Sequence, residues 1–434
     1  MYKQNIKQAW NLIQQERLFS LLYIIGTGLS ISLVMVLSIV FYLKLANIYP
    51  ETNRDRMLIV KSGSLIDKKQ HSTRSSSLAL PLIESCFGHL KGVEALAITN
   101  DSNHEYYIQP ENGKEQFPVE TGFVNRDFWT VFPFRFIEGK AFTEADMQSG
   151  VPTVVLCQSL AHRLFGEEKG VGKYISLNFR SYRVCGVVQD ASQMTEQSYK
   201  QVWMPYTACP GFSPTSEWDK SGTLGDFKAY LLVGKASDLS AVKAEAVANV
   251  SRYSQTLDEM EFSVNGQPDK QWQTIFRIWS NGTPDFGKEL LKWGFIFLIM
   301  LLIPAISLSG MADSRMDLRF AEMGIRRAFG ASVQSLMKQI IVENFLYTLL
   351  GGVVGLLFSY LLVFLCRNWI MDIVGGGFVQ TLQDEEMMLT PSMLINYTVF
   401  GIALGVCFLL NLLSALVPAW QASHREIVYS LNAK

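Results

Sequence analysis

The chain has 434 residues, 49% of them hydrophobic and only 18% charged, with a formal net charge of −1. Charged residues make up about a quarter of an ordinary soluble domain, so the composition points to membrane spans, whereas a mean hydropathy of only +0.16 excludes a chain that is membrane from end to end. Near-neutral charge argues against a dedicated nucleic-acid binder, and six cysteines in this length exclude a disulfide-dense secreted scaffold.

Residues 1–17 form the first predicted element. Ile6, Trp10 and Ile13 stand at i, i+4 and i+7 with Lys3 and Lys7 beside them, the pattern of an amphipathic interfacial helix on the cytoplasmic side. A crossing helix needs about 20 apolar residues, and four stretches meet that length: transmembrane helices are expected at 18–43, 289–310, 339–366 and 395–419. The first has no charge after Arg17. It exceeds a signal-peptide core and no small-x-small cleavage site follows, so it reads as a retained anchor. Lys292 and Trp293 are placed to snorkel at one end of the second.

Loop charges set the orientation. Lys3, Lys7 and Arg17 precede the first span, Arg315, Arg319, Arg326, Arg327 and Lys338 lie between the second and third, and Arg425 and Lys434 follow the fourth. The 367–394 loop has no basic residue after Arg367 but carries Asp372, Asp384, Glu385 and Glu386. The positive-inside rule then places both termini, the 311–338 segment and the 420–434 tail in the cytoplasm of an inner-membrane protein, with 44–288 and 367–394 outside. The fold expected is an extracytoplasmic α+β domain of two lobes, inserted between transmembrane helices 1 and 2 of a four-helix membrane domain. Within that domain Met57–Val60, Thr153–Leu156, Tyr182–Val188 and Ala229–Val233 read as strands, Ser159–Phe165 as a short helix stopping before Gly166, and Ala241–Ser254 as a longer amphipathic helix.

Several stretches carry a resemblance. Phe128-Trp129, Glu138-Gly139-Lys140, Asp146, Leu164-Phe165-Gly166, Val171-Gly172-Lys173 and Gly186-Val187-Val188-Gln189-Asp190 resemble, in order, the extracytoplasmic core domain of MacB-type ABC transporter permeases; Lys140 replaces the more usual arginine. Ser314-Arg315, the run Ala321 to Ser332, and Glu343 entering the next span resemble an FtsX-like permease domain, and Pro418-Ala419-Trp420-Gln421-Ala422-Ser423 resembles its close. The resemblance implies a membrane permease subunit that transmits motion from a separate cytoplasmic ABC ATPase to the extracytoplasmic domain, for export or efflux of a peptide, antibiotic or lipoprotein. It implies pairing as a homodimer or with a related permease, and a periplasmic adaptor as a further partner. The alternative within the family is a non-transporting FtsX-like mechanotransmitter that regulates a cell-wall hydrolase or a sensor; the full MacB-type core favours transport.

The resemblance also assigns the coupling segment. Glu322–Ala328 reads as helix, with Glu322 and Arg326 at i and i+4 and Gly330 as its C-terminal stop. Arg315, Glu322, Gly324, Ile325, Arg326, Arg327 and Gly330 are thus the residues expected to couple to the ATPase. The plainer reading of the same charges is a topology determinant resting on anionic headgroups.

Enzymatic chemistry finds no foothold. A phosphate-cradling loop needs G-x-x-x-x-G-K-[ST]; the nearest string, Gly166 to Tyr174, has Glu167 at the first glycine position and Tyr174 at the last. His71, His89, His104, His162 and His424 show no metal-ligand spacing, and no nucleophile elbow occurs. No cofactor is expected on this chain, ATP being used by the partner ATPase. Cys86, Cys157, Cys185 and Cys209 fall in the exported domain, where either a disulfide or buried free thiols are compatible with the sequence. Gly351-x-x-x-Gly355 and Gly401-x-x-x-Gly405 are spaced for close helix approach, by default within the chain.

Overall fold

The computed structural model describes residues 17–100, 106–110, 116–193, 195–219, 221–277, 282–296 and 332–365, together with 11, 14–15, 298–299, 325, 329–330, 400–402, 404–410 and 412–413. The interfacial helix expected in 1–17 falls almost wholly outside these, as do the 367–394 loop and the 420–434 tail. The chain divides into two compact units, one spanning Leu43–Phe286 and the other built from residues on either side of it.

The central unit is α+β. Its strands are β1 (Met57–Val60), β2 (Gly63–Asp67), β3 (Thr73–Leu78), β4 (Val93–Asn100), β5 (Tyr106–Pro110), β6 (Phe117–Val119), β7 (Thr121–Val124) and β8 (Phe136–Gly139). The second half adds β9 (Thr153–Cys157), β10 (Tyr174–Leu177), β11 (Arg180–Val188), β12 (Val202–Pro205), β13 (Leu224–Gly225), β14 (Phe227–Val233), β15 (Met260–Ser263) and β16 (Asp269–Lys270). Hydrogen-bonded neighbours run β15-β2-β3-β14-β4-β7-β12-β9-β11-β10-β5-β6, with β1 joining β14 and β16. β7 with β12 and β9 with β11 are parallel; the other pairs are antiparallel.

Two cores give the unit its two lobes. The larger collects Phe123, Phe128, Phe132, Trp203 and the inward residues of β9 and β11. The smaller is covered by two helices, 80–87 (Leu80–Phe87) and 239–255 (Leu239–Gln255), which bury Leu82, Ile83, Val242 and Val250. Between them lies β1, all four of whose residues are buried. Successive strand side chains point to opposite faces. Met57 and Ile59 therefore enter the larger core while Leu58 and Val60 enter the smaller, which is why MLIV is apolar without alternation. All four strand readings made from the sequence fall inside β1, β9, β11 and β14. The short helix runs Gln158–Phe165 and ends where Gly166 takes φ +63°. Cys86, Cys157, Cys185 and Cys209 are free thiols. Burial pushes Cys157 up to about 12 and Cys185 to about 11, so neither is a reactive thiolate at neutral pH.

Asp219 organises the loop ahead of β13. Its buried carboxylate accepts from the backbone N–H of Ser221 at 3.0 Å, of Thr223 at 2.9 Å and of Leu224 at 2.7 Å, and from Ser221 Oγ. Burial pushes its pKa up, but these donors outweigh it and hold the carboxyl below its ordinary value of 3.8. A depressed folded-state pKa contributes stability that is present above 3.8 and lost as pH falls through the folded value. Asp219→Asn is expected to cost about 1–3 kcal/mol at pH 7, with the gap to the parent narrowing below pH 4 in thermal unfolding; a gap that does not change with pH would refute the assignment.

α1 (Arg17–Leu45), which belongs to the flanking unit up to Tyr42, and α2 (Val333–Leu365), which lies within it, contain segments, Ser20–Leu45 and Met337–Leu365, long and apolar enough to cross a membrane. Residues 286–296 and 400–402 are also helical. Residues 297, 300–310, 395–399, 403, 411 and 414–419 of the second and fourth stretches are outside the described residues, so the four-helix arrangement is seen only in part. α2 begins at Val333 because Ser332 caps it, accepting from Ser335 N through its carbonyl at 3.0 Å and its hydroxyl at 3.3 Å.

Candidate functional site

The segment resembling a coupling element ends in a stop and a restart. Ile325 is helical, and Phe329 N donates to Ile325 O at 3.1 Å, closing a helical turn. Gly330 then takes φ +92°, a left-handed conformation suited to glycine, and the chain re-enters helix at the Ser332 cap. Gly330 therefore sits as the predicted C-terminal stop. Ile325 is 47% and Phe329 89% exposed, so this corner presents apolar surface outward. Arg315, Glu322, Gly324, Arg326 and Arg327 lie outside the described residues.

From this corner α2 runs without interruption into contact with α1. A β-carbon on Gly351 would stand 2.9 Å from Thr27 Cβ, and one on Gly355 only 2.7 Å from Gly28 O. Gly351-x-x-x-Gly355 thus serves packing within the chain, as the sequence reading favoured, since small residues let backbones approach. Gly401 and Gly405 have nothing within 4 Å among the described residues. Polar side chains reinforce the crossing: Ser20 Oγ and Tyr347 OH lie 2.9 Å apart, Tyr23 OH donates to Asn344 Oδ1 at 3.3 Å, and the Tyr23 and Tyr347 rings meet edge-on at 5.0 Å. Glu343 is buried on the same helix. Sequence reading missed Ser20, Tyr23, Asn344 and Tyr347. The signal was present, as hydrogen-bonding residues set three apart within two apolar runs.

The phosphate-loop look-alike is a turn. Gly172 takes φ +89°, Gly170 N donates to Glu138 Oε2 at 3.1 Å, and Lys173 Nζ pairs with Glu168 at 2.5 Å, so the lysine is spent on a neighbour and the stretch leads straight into β10. Among the described residues no group of three or more His, Cys, Asp or Glu is placed to hold a metal ion.

Comparison with known proteins locates this architecture. The model of the MacB-like periplasmic core domain matches residues 20–249, and that of the FtsX-like permease C-terminal region matches residues 294–427. An uncharacterized ABC transporter permease of Bacillus subtilis (strain 168), YknZ, is 20% identical over 370 residues, covering 84% of this chain and 83% of that protein. The macrolide export ATP-binding/permease protein MacB of Aggregatibacter actinomycetemcomitans is 26% identical over 239 residues, covering 54% of this chain and 34% of that protein. The chain therefore spans most of the first relative's length and about a third of the second's. The crystal structure of the periplasmic region of MacB from Actinobacillus actinomycetemcomitans aligns with 50% of this chain and 92% of that one, at 15% identity and a TM-score of 0.36.

Proposed function

Because this chain belongs to the family of the MacB-like periplasmic core domain and continues into an FtsX-like permease region, it is an ABC transporter permease, and we propose that it converts the nucleotide cycle of a separate cytoplasmic ATPase into movement of the central unit on the outer face of the membrane, for export. The observation that carries this reading is how the parts connect: exposed apolar Ile325 and Phe329 precede α2, α2 is a continuous helix packed on α1 through glycines, and the two-lobed α+β unit begins at the end of α1. The corner receives the ATPase, Ile325 and Phe329 supplying apolar contact and Glu322, Arg326 and Arg327 the charges around it. Two permease copies, identical or related, close against each other when ATP binds. The macrolide export named for the MacB relative supports outward work, and a periplasmic adaptor would complete such a system.

The test uses purified full chain in nanodiscs, alone and with its ATPase. Alone it is expected to hydrolyse no ATP above background. With the ATPase it is expected to bind through 311–332 and to give vanadate-sensitive hydrolysis. Hydrolysis by the chain alone at a transporter-like rate would sink the division of labour.

A further inference from the structure

A buried ion pair ties the carboxyl end of α1 into the central unit. Arg54 Nε donates to Glu51 Oε2 at 2.7 Å, and the two side chains are 2% and 0% exposed. Arg54 Nη1 donates further to Leu43 O at 2.6 Å and Ala46 O at 2.8 Å. These carbonyls belong to the end of α1, where a helix has no partners of its own for its last C=O groups and where its dipole favours a cation. All four residues lie inside the Leu43–Phe286 unit.

The other oxygen of Glu51 reaches a different lobe. Oε1 accepts from Gln197 N at 3.0 Å, Ser198 N at 3.1 Å and Ser198 Oγ at 3.0 Å. That turn leads into β12, whose Trp203 is fully buried in the larger core. The returning chain is tied to the same place: Gln271 Nε2 donates to Lys44 O at 3.2 Å, directly after β16, which pairs with β1. Arg277, bonded to Asp269 of β16 and to Asn265 O, holds this return in position. Arg54 itself stands three residues before β1, the strand that feeds both cores.

Burying two charges costs desolvation, and an apolar replacement of similar volume is often as stable. Stability alone therefore does not account for the pair, whereas its bonding does: one guanidinium and one carboxylate connect the end of α1, the start of β1 and the turn before β12. We infer that Arg54 and Glu51 are positioning residues that deliver movement of the outer end of α1 to both lobes of the central unit. This rests on the ATP-driven movement proposed above.

Full chain reconstituted with its ATPase in nanodiscs is compared nucleotide-free and trapped with ADP–vanadate, reading backbone hydrogen exchange over 195–201 and 265–277. In the parent, exchange in these segments is expected to differ severalfold between the two states. In Glu51→Gln and Arg54→Lys that difference is expected to fall to half or less, while ATP hydrolysis continues; lysine keeps the charge toward Glu51 but a single ammonium cannot also span both carbonyls. A purely structural pair would raise exchange equally in both states and leave their difference intact, and that result overturns the inference. Gln271→Leu, which removes only the tie to Lys44 O, is the milder variant that decides if the ion-pair variants do not fold: it is expected to reduce the difference in 265–277, and an undiminished difference overturns the inference. Absence of any difference in the parent is a separate failure, that of the ATP-driven reading itself, and the joint falls with it.

Discussion

Gly139→Val is expected to lower the melting temperature of the full chain by about 10 °C, corresponding to about 3–5 kcal/mol in a domain of this size. Gly139 ends β8 opposite Gly186 of β11 with φ +64°, and a β-carbon there would lie 2.2 Å from Cys185 O and 2.9 Å from Val171 Cγ2. Two costs combine. A β-branched residue in left-handed conformation costs about 1–2 kcal/mol or more, and the carbonyl is backbone in a paired strand, so overpacking of about 1–3 kcal/mol is not relieved by a rotamer change. Gly166→Ala separates the terms, because Gly166 has φ +63° with nothing within 4 Å of the added carbon. At ψ −132° it lies outside the left-handed helical region, in backbone space that favours glycine, so alanine there should show only a conformational cost of about 1–3 kcal/mol, with Gly139→Ala larger. Equal melting shifts for the two alanine variants would mean that the approach of β8 to β11 is not what requires glycine.

What could be read in the sequence follows from which forces act locally. β1, β9, β11 and β14 were legible because continuous β-branched and aliphatic runs are demanded wherever both strand faces are buried. β3 was not: Thr73–Leu78 is a serine-rich stretch exposed at its start. It is a strand because β2 and β13 flank it, with Ser64 Oγ and Ser75 Oγ 2.8 Å apart across the ladder. The helix stop at Gly330 was legible because glycine is the residue that a left-handed C-terminal position asks for. Arg54 and Glu51 were not. They stand three residues apart after an apolar helix, and only the fold brings Gln197 and Ser198, 146 and 147 positions further on, to the carboxylate. Tyr23 and Asn344 stand between the two cases: each lies three positions from a second hydrogen-bonding residue within an apolar run, but which partner it meets depends on α1 and α2 crossing.

The corner at 325–330 supports the last expectation. Phe329→Asp is expected to weaken association with the ATPase about thirtyfold, or about 2 kcal/mol, the loss expected when an aromatic anchor leaves a desolvated contact. Phe329 is 89% exposed in this chain, so its removal takes nothing from the central unit, and the melting temperature should be unchanged. Ile325→Asp is expected to act in the same direction with a smaller effect, since less of its surface is offered. Reversing charges around them by Glu322→Lys with Arg326→Glu alters the pattern shown to the partner at two positions. Charges at a rim act more on association rate than on affinity, so that pair is expected to slow binding and to reduce vanadate-sensitive ATP hydrolysis at limiting ATPase. The measurement is titration of the ATPase onto nanodiscs holding matched amounts of each variant, read by hydrolysis and by pull-down. If Phe329→Asp binds as the parent does, the corner is not a docking surface; its basic residues then act only to fix topology, and its apolar residues lie against the headgroup region.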